Sequence, residues 1–372
     1  MIKFNIPPRL ENEEEYIRQA LDSEKIAGDG QFTKKCQKFF EDKFGCPKVY
    51  LTTSGTTALE MACMLADIQP GDEVIMSSFT FSSTATAVVL FGGVPVFVDI
   101  KPETMNIDEN LIEDAITPKT KAIMVTHYAG VGCEMDKICE IAKKHNLILL
   151  EDAAQVVNAT YKGKYLGTFG DVGCYSFHET KNYSMGEGGG VCINNTSLVD
   201  RGAIVREKGT NRTQYINGQV DRYTWVDKGS SYLPSDILAA YLYPQLLQFE
   251  EMRDNRVASY NQYYEELKDV KELDLPYVPD YCVHNAHMFY IKCKDLKERS
   301  ALQVFLRENG VETAFHYIPL HSSPAGLKFG RFHGEDKYTT KESERLLRLP
   351  MYYGLKSEDI HYVCEKIKEF YK

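Results

Sequence analysis

The sequence predicts an α/β protein: a mostly parallel sheet of seven strands with helices on both faces, then a smaller C-terminal α+β domain. Two observations carry this. From Val49 to about Asn195, short apolar runs alternate with helix-length amphipathic stretches, the signature of repeated βαβ units. At 372 residues, the chain exceeds one minimal core and suffices for two domains that share an interface.

Taken in order, Glu13 to Leu21 has a helical pattern, Gly28-Asp29-Gly30 a turn, and Phe32 to Phe44 a second helical pattern. The expected strands are Lys48–Leu51, Glu73–Met76, Val94–Asp99, Ala122–Thr126, Leu147–Glu151, Gly173–Phe177 and Gly190–Ile193. Helices are expected between them near Ser54–Ala66, Ser82–Phe91, Asp108–Ala115 and Glu134–His145. No helix separates the last two strands, so that edge is antiparallel or differently wound. A polar loop from Arg206 to Ser231 leads to a long helix, Ser235 to Leu267, interrupted or kinked at Pro244. Pro276 and Pro279 mark a linker, followed by strands near His287–Lys292 and Glu312–His316 and a helix from Glu358 to Tyr371. The expected division is 1–235 for an N-terminal segment and large domain, 236–275 for a connecting helix, and 276–372 for the small domain.

Bulk properties narrow the partners. The longest apolar runs, such as Ala85 to Leu90, fall well short of the about 20 residues of a membrane span. The start, Met1-Ile2-Lys3-Phe4-Asn5, has no apolar stretch of a secretory signal. Ten cysteines without C-x-x-C pairs or zinc spacing point to reduced thiols, no metal and a cytoplasmic location. A net charge of −10 without a basic run makes neither nucleic acid nor an anionic membrane an expected partner.

The chemistry concentrates in three places. Lys181 follows Ser176-Phe177-His178-Glu179-Thr180 and precedes Gly186-Glu187-Gly188-Gly189-Gly190, where backbone can approach a ligand closely. A lysine that attacks an aldehyde carbon must be near neutral, and burial supplies that by disfavouring the ammonium. A lone lysine beside a flexible loop is more often a surface residue, so the other two places matter. Asp152 closes the run Leu147-Ile148-Leu149-Leu150-Glu151, at the strand end where doubly wound sheets place ligands. There a carboxylate can pair with a protonated pyridine nitrogen; the plain alternative is an N-cap for a following helix. Gln155 could donate to a ring oxygen or complete that cap. Ser54-Gly55-Thr56-Thr57 opens a helix whose free N–H groups would hold a phosphate, or is simply a capped helix. Ser176 offers that phosphate a hydroxyl, and Phe81 is either a cover for a cofactor ring or core. Together these residues point to pyridoxal phosphate. His178, His127-Tyr128 and the run His316-Tyr317-Ile318-Pro319-Leu320-His321 are candidates for substrate contact, or merely structural.

With these segments in order, the chain resembles the DegT/DnrJ/EryC1/StrS sugar aminotransferases, within the fold-type I pyridoxal phosphate enzymes, over nearly its whole length. The resemblance rests on Thr53–Leu59, Gly71–Ile75, Ser78–Phe81, Glu151–Gln155, Ser176–Lys181, Gly186–Gly189 and His316–His321. It implies Lys181 as the catalytic lysine that holds the cofactor and Asp152 as partner of its ring nitrogen. It implies further that Gln155 and Phe81 frame the ring while Gly55, Thr56 and Ser176 hold the phosphate. His178, Tyr317 and His321 become substrate-binding candidates, and the enzyme a homodimer with shared active sites. Phe177–Tyr183, Arg206–Arg212 and Tyr338–Pro350 are similar to a branch that moves the amino group of L-glutamate to C4 of dTDP-4-keto-6-deoxy-D-glucose, for surface polysaccharide of the enterobacterial common antigen type. C3 amination or a UDP-linked sugar is the alternative; a sugar dehydratase is disfavoured because that branch has histidine in place of the lysine. A non-catalytic regulatory protein on the same fold is a third reading.

One stretch departs from the family. Many relatives have Gly-x-Asn-x-Arg-Met, whose Asn reaches the partner's cofactor phosphate; here it reads Gly229-Ser230-Ser231-Tyr232-Leu233-Pro234. Ser231 stands for the Asn and Leu233 for the Arg, leaving Ser231 one hydrogen bond to offer.

Overall fold

Apolar runs without alternation bury on both faces, and those in the first half of the chain do so. The computed structural model describes all 372 residues. Its large sheet contains β1 (Lys48–Thr52), β2 (Glu73–Ser77), β3 (Val94–Val98), β4 (Thr120–Thr126) and β5 (Ile148–Asp152). After a short hairpin of β6 (Thr160–Tyr161) and β7 (Lys164–Tyr165), β8 (Val172–Ser176) and β9 (Gly189–Ile193) complete the seven expected strands. Their order is β1-β9-β8-β5-β4-β2-β3. From β8 to β3 every neighbouring pair is parallel, whereas β9 runs antiparallel to both β1 and β8. A parallel partner for β8 would need a crossover, which the segment 177–188 lacks.

Helices α1 (Glu13–Asp22) and α2 (Gln31–Phe44) precede the sheet; α3 (Gly55–Leu65), α4 (Ser82–Val89) and α5 (Met135–Lys144) lie between its strands. One face packs on α2 and α5, through Phe32, Phe40 and Ile138. The other packs on α3, α4 and α6 (Val199–Arg206), through Met61, Val88 and Ala203. The helix expected at Asp108–Ala115 is instead two 3₁₀ turns, Glu109–Leu111 and Glu113–Ala115. The second turn ends where the chain becomes extended at Ile116, φ/ψ −70°/131°, two residues ahead of Pro118.

The loop after α6 contains a single short helix, α7 (Arg212–Ile216). The long helix expected from Ser235 is two helices, α8 (Asp236–Leu247) and α9 (Phe249–Leu267). Pro244 sits inside α8, and the break falls one turn later at Gln248, whose φ/ψ is −109°/30°. Beyond α9, β10 (Cys282–Val283) joins the β6–β7 hairpin, and β11 (Tyr290–Lys292) begins the C-terminal part. There α10 (Leu296–Glu308), α11 (Pro324–Phe329), β12 (Arg331–Phe332), α12 (Thr339–Arg345), β13 (Leu346–Arg348) and α13 (Ser357–Phe370) follow. β11 pairs with β13, and a separate core gathers Tyr263, Phe289, Leu302, Leu347 and Val363. β12 returns to the large sheet as an eighth strand beside β3. The strand expected at Glu312–His316 is reduced to one bridge, Ala314 with Arg348. No helix is long and apolar enough to cross a membrane.

Candidate active site

Connections from β2 run one way, to β3, and from β4 onward the other way. A crevice at the strand C-termini is therefore expected there. A cavity of about 600 Å³ occupies it, lined by Thr126 at the end of β4, Asp152 at the end of β5 and Ser176 at the end of β8. Gly55, Thr56, Phe81, Gln155, His178, Lys181 and Tyr317 line the same cavity.

Lys181 lies on the turn between β8 and β9, and that turn is locked from below. Phe177 N–H donates to Gly188 O and Glu179 N–H to Gly186 O, each at 2.8 Å. Gln245 of α8 bonds Ser184 like a strand neighbour, its carbonyl accepting from Ser184 N–H and its amide donating to Ser184 O, both at 2.9 Å. Asn182 donates to Asn285 O at 2.9 Å and bonds His287 Nδ1 at 2.9 Å. The Lys181 amine makes no ion pair. Burial pulls its pKa from 10.5 down to about 8; Asp152 raises it and Arg348 lowers it further. This is the near-neutral amine that attack on an aldehyde requires.

No helix follows β5: the chain turns and enters β6. Neither Asp152 nor Gln155 is therefore a helix cap. One Asp152 oxygen accepts from the Thr84 hydroxyl at 2.7 Å and the other from Ala154 N–H at 3.2 Å. Thr84 in turn bonds Thr80, and Thr80 bonds Thr126, at 2.8 and 3.0 Å. Such a chain of buried hydroxyls holds the carboxylate in one orientation. Gln155 accepts from Ala129 N–H at 2.7 Å and donates to the Tyr317 hydroxyl at 3.1 Å, which fixes its NH₂ towards that ring.

Ser54 caps α3 reciprocally with Thr57, two bonds of 3.0 Å. The Ser54 hydroxyl is thus spent on the helix, while the amides of Gly55 and Thr56 have no partner in the chain. A Cβ on Gly55 would lie 2.8 Å from the Ser176 Cβ, so only glycine lets that helix end meet Ser176. Phe81 is 59% exposed, with its ring 6.2 Å from that of Tyr317.

Several expected contacts fall elsewhere. His127 is fully buried: Nδ1 accepts from Cys133 N–H at 3.1 Å, so Nε2 carries the proton and meets Glu151 at 3.0 Å. Glu151 also accepts from the N–H groups of Gly167, Phe169 and Gly170, making that pair structural. Tyr128 is likewise buried and only backs His316 and Tyr317. His321 lies outside the cavity lining; its nitrogens bond the Ser78 hydroxyl at 2.7 Å and pair with Asp336 at 3.1 Å. Ser231 is exposed, bridged to Glu207, and does not reach the cavity of its own chain.

His316, from the run singled out in the sequence, also lines the cavity. Thr126, His287, Arg348 and the N-terminal Phe4 and Asn5 bear no site motif of their own and come from segments far apart in the chain. A phosphorylated pyridine aldehyde fits this set. Lys181 offers an amine, Asp152 could accept from a ring N–H, and Gly55, Thr56 and Ser176 offer amides and hydroxyls to a phosphate.

Residues 9–368 match the DegT/DnrJ/EryC1/StrS aminotransferase family. A pleiotropic regulatory protein of Geobacillus stearothermophilus is 36% identical over 86% of this chain and 84% of its own. The GDP-perosamine synthase of Escherichia coli O157:H7 is 32% identical over 98% of this chain and 97% of its own. Among solved structures, the aminotransferase TlmJ from Streptoalloteichus hindustanus superposes with a TM-score of 0.92 at 27% identity, covering 100% of this chain and 99% of its own. The fold is that of the fold-type I enzymes.

Proposed function

The chain belongs to the DegT/DnrJ/EryC1/StrS aminotransferase family, whose cofactor is pyridoxal phosphate, and from that premise we propose a nucleotide-sugar aminotransferase. The reaction is transfer of the amino group of L-glutamate to C4 of dTDP-4-keto-6-deoxy-D-glucose, giving dTDP-4-amino-4,6-dideoxy-D-galactose and 2-oxoglutarate. Its setting is the cytoplasm, in surface polysaccharide synthesis of the enterobacterial common antigen type. The convergence of Lys181, Asp152 and the α3 N-terminus on one cavity supports it most directly.

When bound, pyridoxal phosphate supplies an electron sink for the pair left as the Cα–H bond of the donor breaks. The chain's residues do the rest. Asp152, oriented by Thr84 and Ala154 N–H, would accept a hydrogen bond from the ring N–H and keep that nitrogen protonated. Gly55, Thr56 and Ser176 would hold the phosphate, and Phe81 and Gln155 would flank the ring. The Lys181 Nζ, poised near neutrality, takes the proton from the glutamate Cα and later delivers one to C4 of the sugar. Ser231, exposed and outside the lining of its own cavity, would contact the cofactor phosphate of a partner subunit, in a homodimer with shared sites. His178, beside Glu187 at the cavity rim, and Tyr317 are placed to touch the substrate.

The test is to incubate the protein with cofactor, L-glutamate and the dTDP keto-sugar, and to read the configuration at C4 of the product by NMR. Full activity of a Lys181→Ala variant would end this assignment. A GDP-linked 4-keto sugar is the second reading, favoured by the GDP-perosamine synthases among the relatives. The same incubation with the GDP-linked substrate decides between them.

A further inference from the structure

The large sheet is concave at both ends. β5 and β8 finish at Asp152 and Ser176 in the Lys181 cavity, and their opposite ends open into a second cavity. This one measures about 630 Å³ and shares no lining residue with the first. Sites that hold small organic ligands span about 300–1,000 Å³, with apolar walls and a few polar groups.

The second cavity has both. Phe44, Leu147 and Phe169 contribute apolar wall. Lys143, in the last turn of α5, and Lys164, on β7, line it as exposed cations. Several nearby lysines are neutralised by the chain: Lys43 by Glu250, Lys48 by Glu41, Lys144 by Glu113 and Lys162 by Asp136, all within 2.6 Å. Lys143 and Lys164 have no such partner; Lys164 lies over the Phe169 ring instead, 4.5 Å from its centroid. The one carboxylate in the lining, Asp171, is held by the chain itself. It accepts from Leu149 N–H at 3.0 Å and from the Asn195 amide at 2.8 Å. Two cations thus line an apolar-walled cavity with no anion of the chain to pair with them.

We infer that this cavity binds a small organic anion, its charged group met by Lys143 and Lys164 and its apolar body by Phe44, Leu147 and Phe169. An inorganic anion would leave the apolar wall unused, and an uncharged molecule would leave both lysines unpaired. No residue of the Lys181 cavity takes part, so occupancy does not depend on transamination.

Cys139 provides a local reporter. It lines the cavity, and it alone of the ten cysteines is not buried. The holoenzyme should react with a single equivalent of 4,4′-dithiodipyridine, slowly, because burial pushes the Cys139 pKa up to about 11. The part of the signal lost in Cys139→Ser is the part to follow. 8-Anilinonaphthalene-1-sulfonate should protect the thiol. N-phenyl-1-naphthylamine, which lacks the sulfonate, should need about tenfold more for equal protection, the sum expected of two exposed ion pairs. The double variant Lys143→Glu, Lys164→Glu should erase that difference. Binding here is refuted if the sulfonate leaves Cys139 unprotected, if the uncharged amine protects equally well, or if the double variant keeps the wild-type preference. Should the double variant not fold, the two probes on wild type decide alone. A thiol that fails to react at all would show the cavity closed to small molecules, and refutes it as well.

Discussion

Replacing Lys181 with methionine should make the cofactor-free protein more stable, by an amount that depends on pH. The side chain keeps its length and loses its charge. Folding moves the lysine from 10.5 to about 8, so between these values the unfolded chain binds more protons than the folded one. Stability of the wild type therefore rises with pH across that window and is penalised below it. At pH 7 the penalty of the buried ammonium is about 3 kcal/mol, and at pH 9.5 about 1.4 kcal/mol. Lys181→Met escapes both, so its advantage should shrink by about 2 kcal/mol between the two pH values. The difference is the robust quantity, because packing of the methionine does not vary with pH. Urea unfolding of both cofactor-free proteins at each pH, with the slopes compared, measures it. An advantage that stays constant with pH would show that the amine titrates normally, and would remove the basis for its role as nucleophile. Stability lost at a functional site in this way is a common trade.

Four further outcomes follow from the same geometry. Capture of pyridoxal phosphate by the cofactor-free protein should speed up with a midpoint near pH 8, read by absorbance. Asp152→Asn removes the charge that raises that pKa, and should shift the midpoint down. Thr84→Val deletes the 2.7 Å bond to Asp152 and should cost about 1.5–3 kcal/mol in urea unfolding, with faster loss of cofactor on dialysis. Gly55→Ala drives a Cβ to 2.8 Å from Ser176 and should cost about 1–3 kcal/mol, largely relieved by adding Ser176→Gly.

What was legible was local. Continuous apolar runs gave the seven strands within a residue or two, because burial on both faces leaves that mark on composition. α10 was not expected, although Asp295 caps it by accepting from Glu298 N–H at 2.9 Å. β12 left no mark, since two residues joining an edge need no periodicity. At the site, the glycines beside Lys181 and the carboxylate ending β5 stood out, because backbone approach and a buried charge demand specific residue types.

Whether those residues meet was beyond the sequence. Asp152 read equally as a helix cap until the chain turned after β5 without forming one. His127 and His321 were chemically suitable and lie elsewhere, because a ring's role depends on which partners fill its nitrogens. Arg348 looked like any charge before a proline until β13 carried it beneath Phe4 and beside His316. The sequence alone determined the seven strands expected of the large sheet and marked out the lysine and the carboxylate, since each follows from neighbours within a few residues. Only the tertiary structure decided which groups share one cavity and which charge is left without a partner, because burial and electrostatics are set by contacts between segments hundreds of residues apart.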